Sequence, residues 1–129
     1  MKKIINVGNK QLECACNALT PFIYTEVFGR DFLKVVVSFR TYANKDANNF
    51  SDDEMSDITV KTRAFSEMLF VMNKQHQIEK ANDLMKLTKA DYYDWLSEFE
   101  QGDFGINVMS EVLSLWQGQA DTKVEAKNA

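Results

Sequence analysis

The chain is poor in the residues that most often carry chemistry. It has one histidine and two cysteines, so metal sites and nucleophile–base pairs have little to be built from. It has no basic surplus either: 15 Lys and Arg stand against 19 Asp and Glu, a net charge of −4. A nucleic-acid binder needs a basic footprint, and a helix lying on anionic lipid needs a basic stripe; this balance supplies neither. Long apolar runs are missing as well. The strongest, Met68 to Met72, is far short of the roughly 20 residues that cross a bilayer. Asn6 and Gly8 interrupt the start before a secretory leader's apolar region could form. The expectation is a cytoplasmic protein whose cysteines stay reduced. What is abundant is core material: 129 residues, 45% hydrophobic, with nine Phe, four Tyr and two Trp. That suffices to bury one core without disulfides or metals.

Patterning predicts a mainly α fold. Residues 1–16 form a β-hairpin, with Ile5 and Val7 on one strand and Leu12, Cys14 and Cys16 on the other around Gly8-Asn9-Lys10. An Asn9-Lys10 loop would set Val7 opposite Leu12 and Ile5 opposite Cys14, with all four on one face. A lone hairpin is marginal in water, so that face must lie on a helix layer or on another subunit. Thr20 is a candidate N-cap with Pro21 at the first helical position, and Gly29 a candidate stop. A helix from about Asp31 would carry Phe32, Val35, Val36, Phe39 and Ala43. The valine run 35–37 leaves a strand open there. After a polar stretch, Ser51 and Glu54 have capping-box spacing. They open a helix to about Asn73 with a stripe of Ile58, Phe65, Met68, Leu69 and Met72. Thr88 and Asp91 open another, bearing Tyr92, Trp95, Leu96 and Phe99, which Gly102 can end. A last helix from about Phe104 to Gln117 shows two adjacent stripes: Ile106, Met109, Leu113 and Trp116, and Val108, Val112 and Leu115. The expected organisation is one helical domain over 1–118, with the hairpin leading about five helices in a small bundle, and a flexible tail over 119–129 that is small and charged.

Each candidate for chemistry has a plainer reading beside it. Cys14-Ala15-Cys16 puts two thiols on one strand face, but further metal ligands are lacking and buried reduced cysteines account for it. His76, within Lys74-Gln75-His76-Gln77, has no nucleophile nearby in sequence and reads as a solvated helix-end residue. Asp52, Asp53, Glu54 and Asp57 lack the spacing and central glycine of a calcium loop, and suit a helix start. Gly102-Asp103-Phe104-Gly105 has neither the strand before it nor the Lys-Thr after it that a phosphate loop requires. Tyr92, Tyr93 and Trp95 could stack bases, but few basic residues accompany them. The expectation is no catalytic residue, no cofactor, no metal, and no nucleic-acid or membrane partner.

One segment is more specific. Residues 17–32, Asn-Ala-Leu-Thr-Pro-Phe-Ile-Tyr-Thr-Glu-Val-Phe-Gly-Arg-Asp-Phe, resemble the N-terminal signature of the tail assembly chaperones of long-tailed (siphovirus-type) bacteriophages and prophages. Ala18, Thr20, Pro21, Tyr24, Phe28, Gly29 and Asp31 carry the resemblance, and the Asp94-Trp95-Leu96-Ser97 stretch is compatible with it. The valine run and the Cys-Ala-Cys pair depart from the pattern. Physically, the signature describes a capped helix, a glycine stop and a new helix start.

The resemblance implies a non-enzymatic protein of tail morphogenesis, working in the cytoplasm of the bacterial host and absent from the virion. It would hold the tape measure protein while tail tube subunits assemble around it. It would self-associate, and a longer frameshifted product would recruit the tail tube protein; this chain would be the short product. For partner binding the surfaces to consider are Val108, Val112, Leu115 and Trp116 on the terminal helix, and the outer face of the hairpin. The other reading of both is core, since a terminal helix often completes a bundle. The competing class is a small helical protein–protein interaction module or phage regulator. It shares the charge and the aromatic content, and differs in lacking long self-assembled arrays.

Overall fold

The computed structural model describes residues 1–31, 33, 34, 37, 51–105 and 107–115, without the side chains of 55–62. Strands β1 (Lys2–Val7) and β2 (Lys10–Ala15) form an antiparallel hairpin. Among the described residues the helices with defined bounds are α1 (Thr20–Phe28), α2 (Asp52–Gln77), the single turn α3 (Ala81–Leu84) and α4 (Lys89–Leu96). Residues 107–115 are helical and are called α5. The described chain is thus mainly helical with an N-terminal hairpin. The helix expected from Asp31 lies mostly outside the described residues, as do Phe32, Ile106, Trp116 and the tail over 119–129. Within it, the Leu33 N–H donates to Asp31 Oδ1 at 2.9 Å, as a helix start requires.

The hairpin has the expected buried face and a different register. Val7 pairs with Lys10, Ile5 with Leu12 and Lys3 with Cys14. The loop is therefore Gly8-Asn9, two places from the expected pairing. Because side chains alternate with period two, a slip of two keeps Ile5, Val7, Leu12 and Cys14 on one side. Gly8 decides the register. It holds φ +58°, the positive value that a type II′ turn needs at its first central position. A Cβ there would also collide with the Asp103 carboxylate.

Helix α2 is the centre of the molecule. Residues 65–73 are buried without a break, so over more than two turns every face of the helix is covered. A helix enclosed in this way belongs to the interior rather than to a surface. The Ser51–Glu54 capping box opens it as expected. It runs past Asn73 to Gln77, because the polar residues of the last turns find buried partners. β2, α1 and α4 pack around it. Ile5, Val7, Ile23, Phe65, Met68, Phe70, Tyr92 and Trp95 join one core with Val108, Met109, Val112, Leu113 and Leu115 of α5. Phe70 meets Tyr92 and Trp95 edge-on, each at 5.5 Å between ring centroids.

Two expected helix ends move. Thr20 is not an N-cap: it is the first residue of α1 and is buried. Leu19 is the N-cap residue and no side chain caps the helix; Asn17 shapes the lead-in, its Oδ1 accepting from the Leu19 N–H at 2.8 Å, while Thr20 Oγ1 accepts from the Asn17 N–H at 2.9 Å. Helix α4 begins at the Thr88–Asp91 capping box but stops at Leu96, well before Gly102. Gly29 closes α1 as expected, at φ +70°, donating its N–H to the Thr25 carbonyl at 2.8 Å.

Candidate functional site

The signature residues turn out to be the joint between α1 and α2. Thr20 Oγ1 donates to Gln75 Oε1 at 2.6 Å, and Gln75 Nε2 donates to Asn17 Oδ1 at 2.5 Å. One buried amide therefore holds the start of α1. One turn on, the Tyr24 hydroxyl donates to Glu67 Oε1 at 3.1 Å, and Phe28 places its ring 5.1 Å from Tyr92. Gly29 then turns the chain so that Arg30 pairs with the same Glu67 oxygen. Ala18, Gly29 and Asp31 are exposed and Pro21 is half-buried. Their contribution is backbone geometry rather than contact.

Glu67 is the most unusual side chain in this joint. It is 1% exposed and sits between two guanidiniums, Arg30 on Oε1 and Arg63 Nε at 3.5 Å from Oε2. Arg63 is close enough to act as a charge, yet Oε2 accepts no hydrogen bond. Burial raises the carboxyl above the usual carboxylate range, against the pull of Arg30, Tyr24 and Arg63. Burial likewise raises the Tyr24 phenol, and the neighbouring Glu67 charge adds to it.

Beside this cluster, between α2 and α4, opens a groove of about 410 Å³. Tyr92, Leu96, Phe99 and Phe104 give it apolar walls; Arg63, Ser66, Tyr93 and Glu100 add polar groups. Tyr93 is 49% exposed. Arg63 Nη2 donates to the Tyr93 hydroxyl at 2.7 Å, and the guanidinium lies 5.9 Å from that ring's centroid. The Tyr92 hydroxyl, at the floor, shares a 2.7 Å hydrogen bond with Ser66 Oγ. Aromatics that sequence patterning assigns to core thus split: Tyr92 and Trp95 are core, whereas Tyr93 lines an open surface.

The other suspected surface is closed. Val108, Val112 and Leu115 are buried in the core, so in the folded monomer they present no docking face, and Trp116 lies outside the described residues. The described residues of the α5 arc, Val108, Met109, Val112, Leu113 and Leu115, are all buried, and on its polar edge Glu111 meets Lys3 Nζ at 2.6 Å. The outer face of the hairpin remains open, with Ile4 52% exposed.

Of the residues considered for chemistry, the side chain of Asp57 lies outside the described ones. His76 lies 3.4 Å from Glu13 Oε2, on the outer side of the hairpin. Cys14 is the next residue along the strand, so it points to the opposite face and is buried in the core. Burial pushes its thiol up to about 12, the reverse of what activates a cysteine. Cys16 is buried beside it. A second cleft of about 480 Å³, lined by Lys74, Asp83, Lys86, Asp91, Asp94 and Glu98 among others, is mixed in charge. Among the described residues no group of His, Cys, Asp and Glu is arranged to hold a metal ion, and no helix is long and apolar enough to cross a membrane.

Sequence reasoning missed Glu67, Asn73 and Gln75. Asn73 ties three elements together: its Nδ2 donates to the Glu13 carbonyl at 3.0 Å and its Oδ1 accepts from Trp95 Nε1 at 2.9 Å. One signal was available. Phe65 to Met72 carries apolar residues on all sides of a helix, so a polar residue set among them must be buried, and a buried polar group needs a partner.

Searches against protein-family models, curated proteins and solved structures found no match to this chain.

Proposed function

We propose that this protein is a tail assembly chaperone of a long-tailed bacteriophage or prophage. In this reading it is a non-enzymatic, self-associating protein that holds the tape measure protein in the host cytoplasm, and a longer frameshifted product brings in the tail tube protein. The observation that carries the reading is the segment 17–32. Its resemblance rests on Ala18, Thr20, Pro21, Tyr24, Phe28, Gly29 and Asp31, and of these Thr20, Tyr24, Phe28 and Gly29 bond or shape the joint of α1 with α2. The groove at Arg63 and Tyr93 supports it, because a largely apolar cleft beside α2 and α4 offers side-chain contacts to a long helical client. Many weak copies of such a contact along an array would hold that client by avidity.

Co-expression with the tape measure protein of the same genome tests the reading. The expected outcome is a soluble complex far larger than a dimer, from a client that is insoluble alone. A client that is soluble alone and ignores this chain would remove the assignment.

The groove also favours a second reading, a helical protein–protein interaction module with another client, since its chemistry does not depend on the resemblance. A discrete small complex and a gene without a slippery run near its end would select this second reading.

A further inference from the structure

The two edges of the hairpin are not alike. Met1 and Cys16 exchange both backbone bonds, each at 2.9 Å. In an antiparallel ladder such doubly bonded pairs alternate with unbonded ones. The register therefore makes Lys3–Cys14, Ile5–Leu12 and Val7–Lys10 the other bonded pairs. Lys2, Ile4 and Asn6 then turn their N–H and C=O groups outward along the free side of β1, and Gln11, Glu13 and Ala15 do so along β2.

The β2 side is closed by the chain itself. The Glu13 carbonyl accepts from Asn73 Nδ2 of α2 at 3.0 Å, and α2 packs against that strand. The β1 side has no such stopper among the described residues. There β1 pairs with β2 alone, and Lys2, Ile4 and Asn6 are all exposed, Ile4 to 52%. A row of unpaired strand groups is a template for another strand.

The sequence of β1 says which strand fits. When two copies of β1 meet antiparallel about a two-fold axis, only the outward residues can exchange bonds across it. An axis at Ile4 sets Ile4 against Ile4, and Lys2 against Asn6 of the other copy. Every outward residue is then bonded, the half-exposed Ile4 side chains cover each other, and no like charges stand opposed. Moving the axis toward the N-terminus sets Lys3 against Lys3 or Lys2 against Lys2. Moving it toward the turn leaves Lys2 facing Gly8, where the strand has ended. The lysines that would blunt other approaches thus select one register.

We propose that the free edge of β1 is a self-pairing surface, through which two copies of this chain join β1 to β1, antiparallel and centred on Ile4, so that the two hairpins make one continuous sheet. The proposal deepens the self-association of the reading above by naming its surface, and rests on no other part of that reading.

The test is sedimentation of the full chain over a concentration series, with amide hydrogen exchange read at each concentration. The expected result is a dimer that grows with concentration, with protection rising at the Lys2, Ile4 and Asn6 amides. Asn6→Lys opposes like charges on both sides of the axis and should weaken association about fivefold. Adding Lys2→Glu to it should restore association to at least the wild-type level. Ile4→Pro removes the outward N–H at the axis and spares the bonds within the hairpin, so it should abolish the dimer. Should Ile4→Pro fail to fold, the charge exchange at residues 2 and 6 still decides. A chain that stays monomeric, a dimer protected elsewhere than β1, or an Asn6→Lys variant that associates as well as wild type would each overturn the proposal. Protection of these amides only when the tape measure protein is present would also overturn it, and would give the edge to the client. A β1 dimer with a failed co-expression would leave self-pairing intact and remove the tail assembly reading. A successful co-expression without the β1 dimer would place self-association on another surface.

Discussion

Helix α5 and the groove wall of α4 look alike in sequence. Both carry large apolar residues at helical spacing, and in both the apolar arc is wider than one stripe. In the structure they part company. Val112 and Leu115 are buried in the core, whereas Tyr93 is half exposed and Leu96, Phe99 and Phe104 are only partly covered. The difference lies in the neighbours. The buried residues of α5 belong to the core that residues of β1, β2 and α2 also form, whereas Tyr93 on α4 is left half exposed. An apolar arc therefore says that something must cover it, and says nothing about whether the cover comes from the same chain.

This comparison is open to direct tests. Val112→Asp should have the largest effect. A carboxylate placed at a fully buried site without a partner costs several kcal/mol, so the variant should show no cooperative unfolding by circular dichroism at 25 °C. Folded, stable protein would return α5 to the list of docking faces. Phe70→Ala comes next, at about 3–5 kcal/mol for a ring removed from a close-packed core, read as a lowered urea midpoint. Gln75→Ala leaves the Thr20 hydroxyl and the Asn17 amide oxygen without their shared partner, and should cost about 1–3 kcal/mol in the same titration. Tyr93→Ser should have the smallest effect on stability, within about 0.5 kcal/mol for an exposed position. A large loss of stability there would mean that the groove wall is core after all.

Glu67 sharpens the comparison from the charge side. Its folded carboxyl titrates above the ordinary range, chiefly because it is buried. The fold therefore binds its proton more tightly than the unfolded chain does. The stability from this group is complete below the unfolded value and is lost as pH rises through the folded one. Glu67→Gln removes that loss. The variant's urea midpoint should rise relative to wild type as pH increases from about 4 to about 7. A wild type that instead gains on the variant over that window would mean that Arg30 and Arg63 outweigh burial.

Much of the local structure was legible. The two capping boxes at Ser51 and Thr88, the glycine stop at Gly29 and the buried face of the hairpin follow from short-range chemistry that the chain carries in itself. The hairpin register was not, because Gly8-Asn9 and Asn9-Lys10 both yield an apolar face, and only the positive φ of Gly8 separates them. The length of α2 was not legible either. Asn73 and Gln75 look like the fraying polar end of a helix until the Glu13 carbonyl, Trp95, Asn17 and Thr20 are seen to bond them.

The candidate site shows the same division. Sequence by itself determined that helices open at the capping boxes of Ser51 and Thr88, that the core is aromatic, and that Gly29 stops α1, because each of these is a property of neighbours along the chain or of composition. Only the tertiary structure decided that Tyr24 and Arg30 meet on Glu67, that Arg63 and Tyr93 line one groove, and that α5 is covered while the wall of α4 is open. Those facts depend on side chains tens of residues apart being buried against one another, and burial is a property of the packed whole that no local pattern encodes.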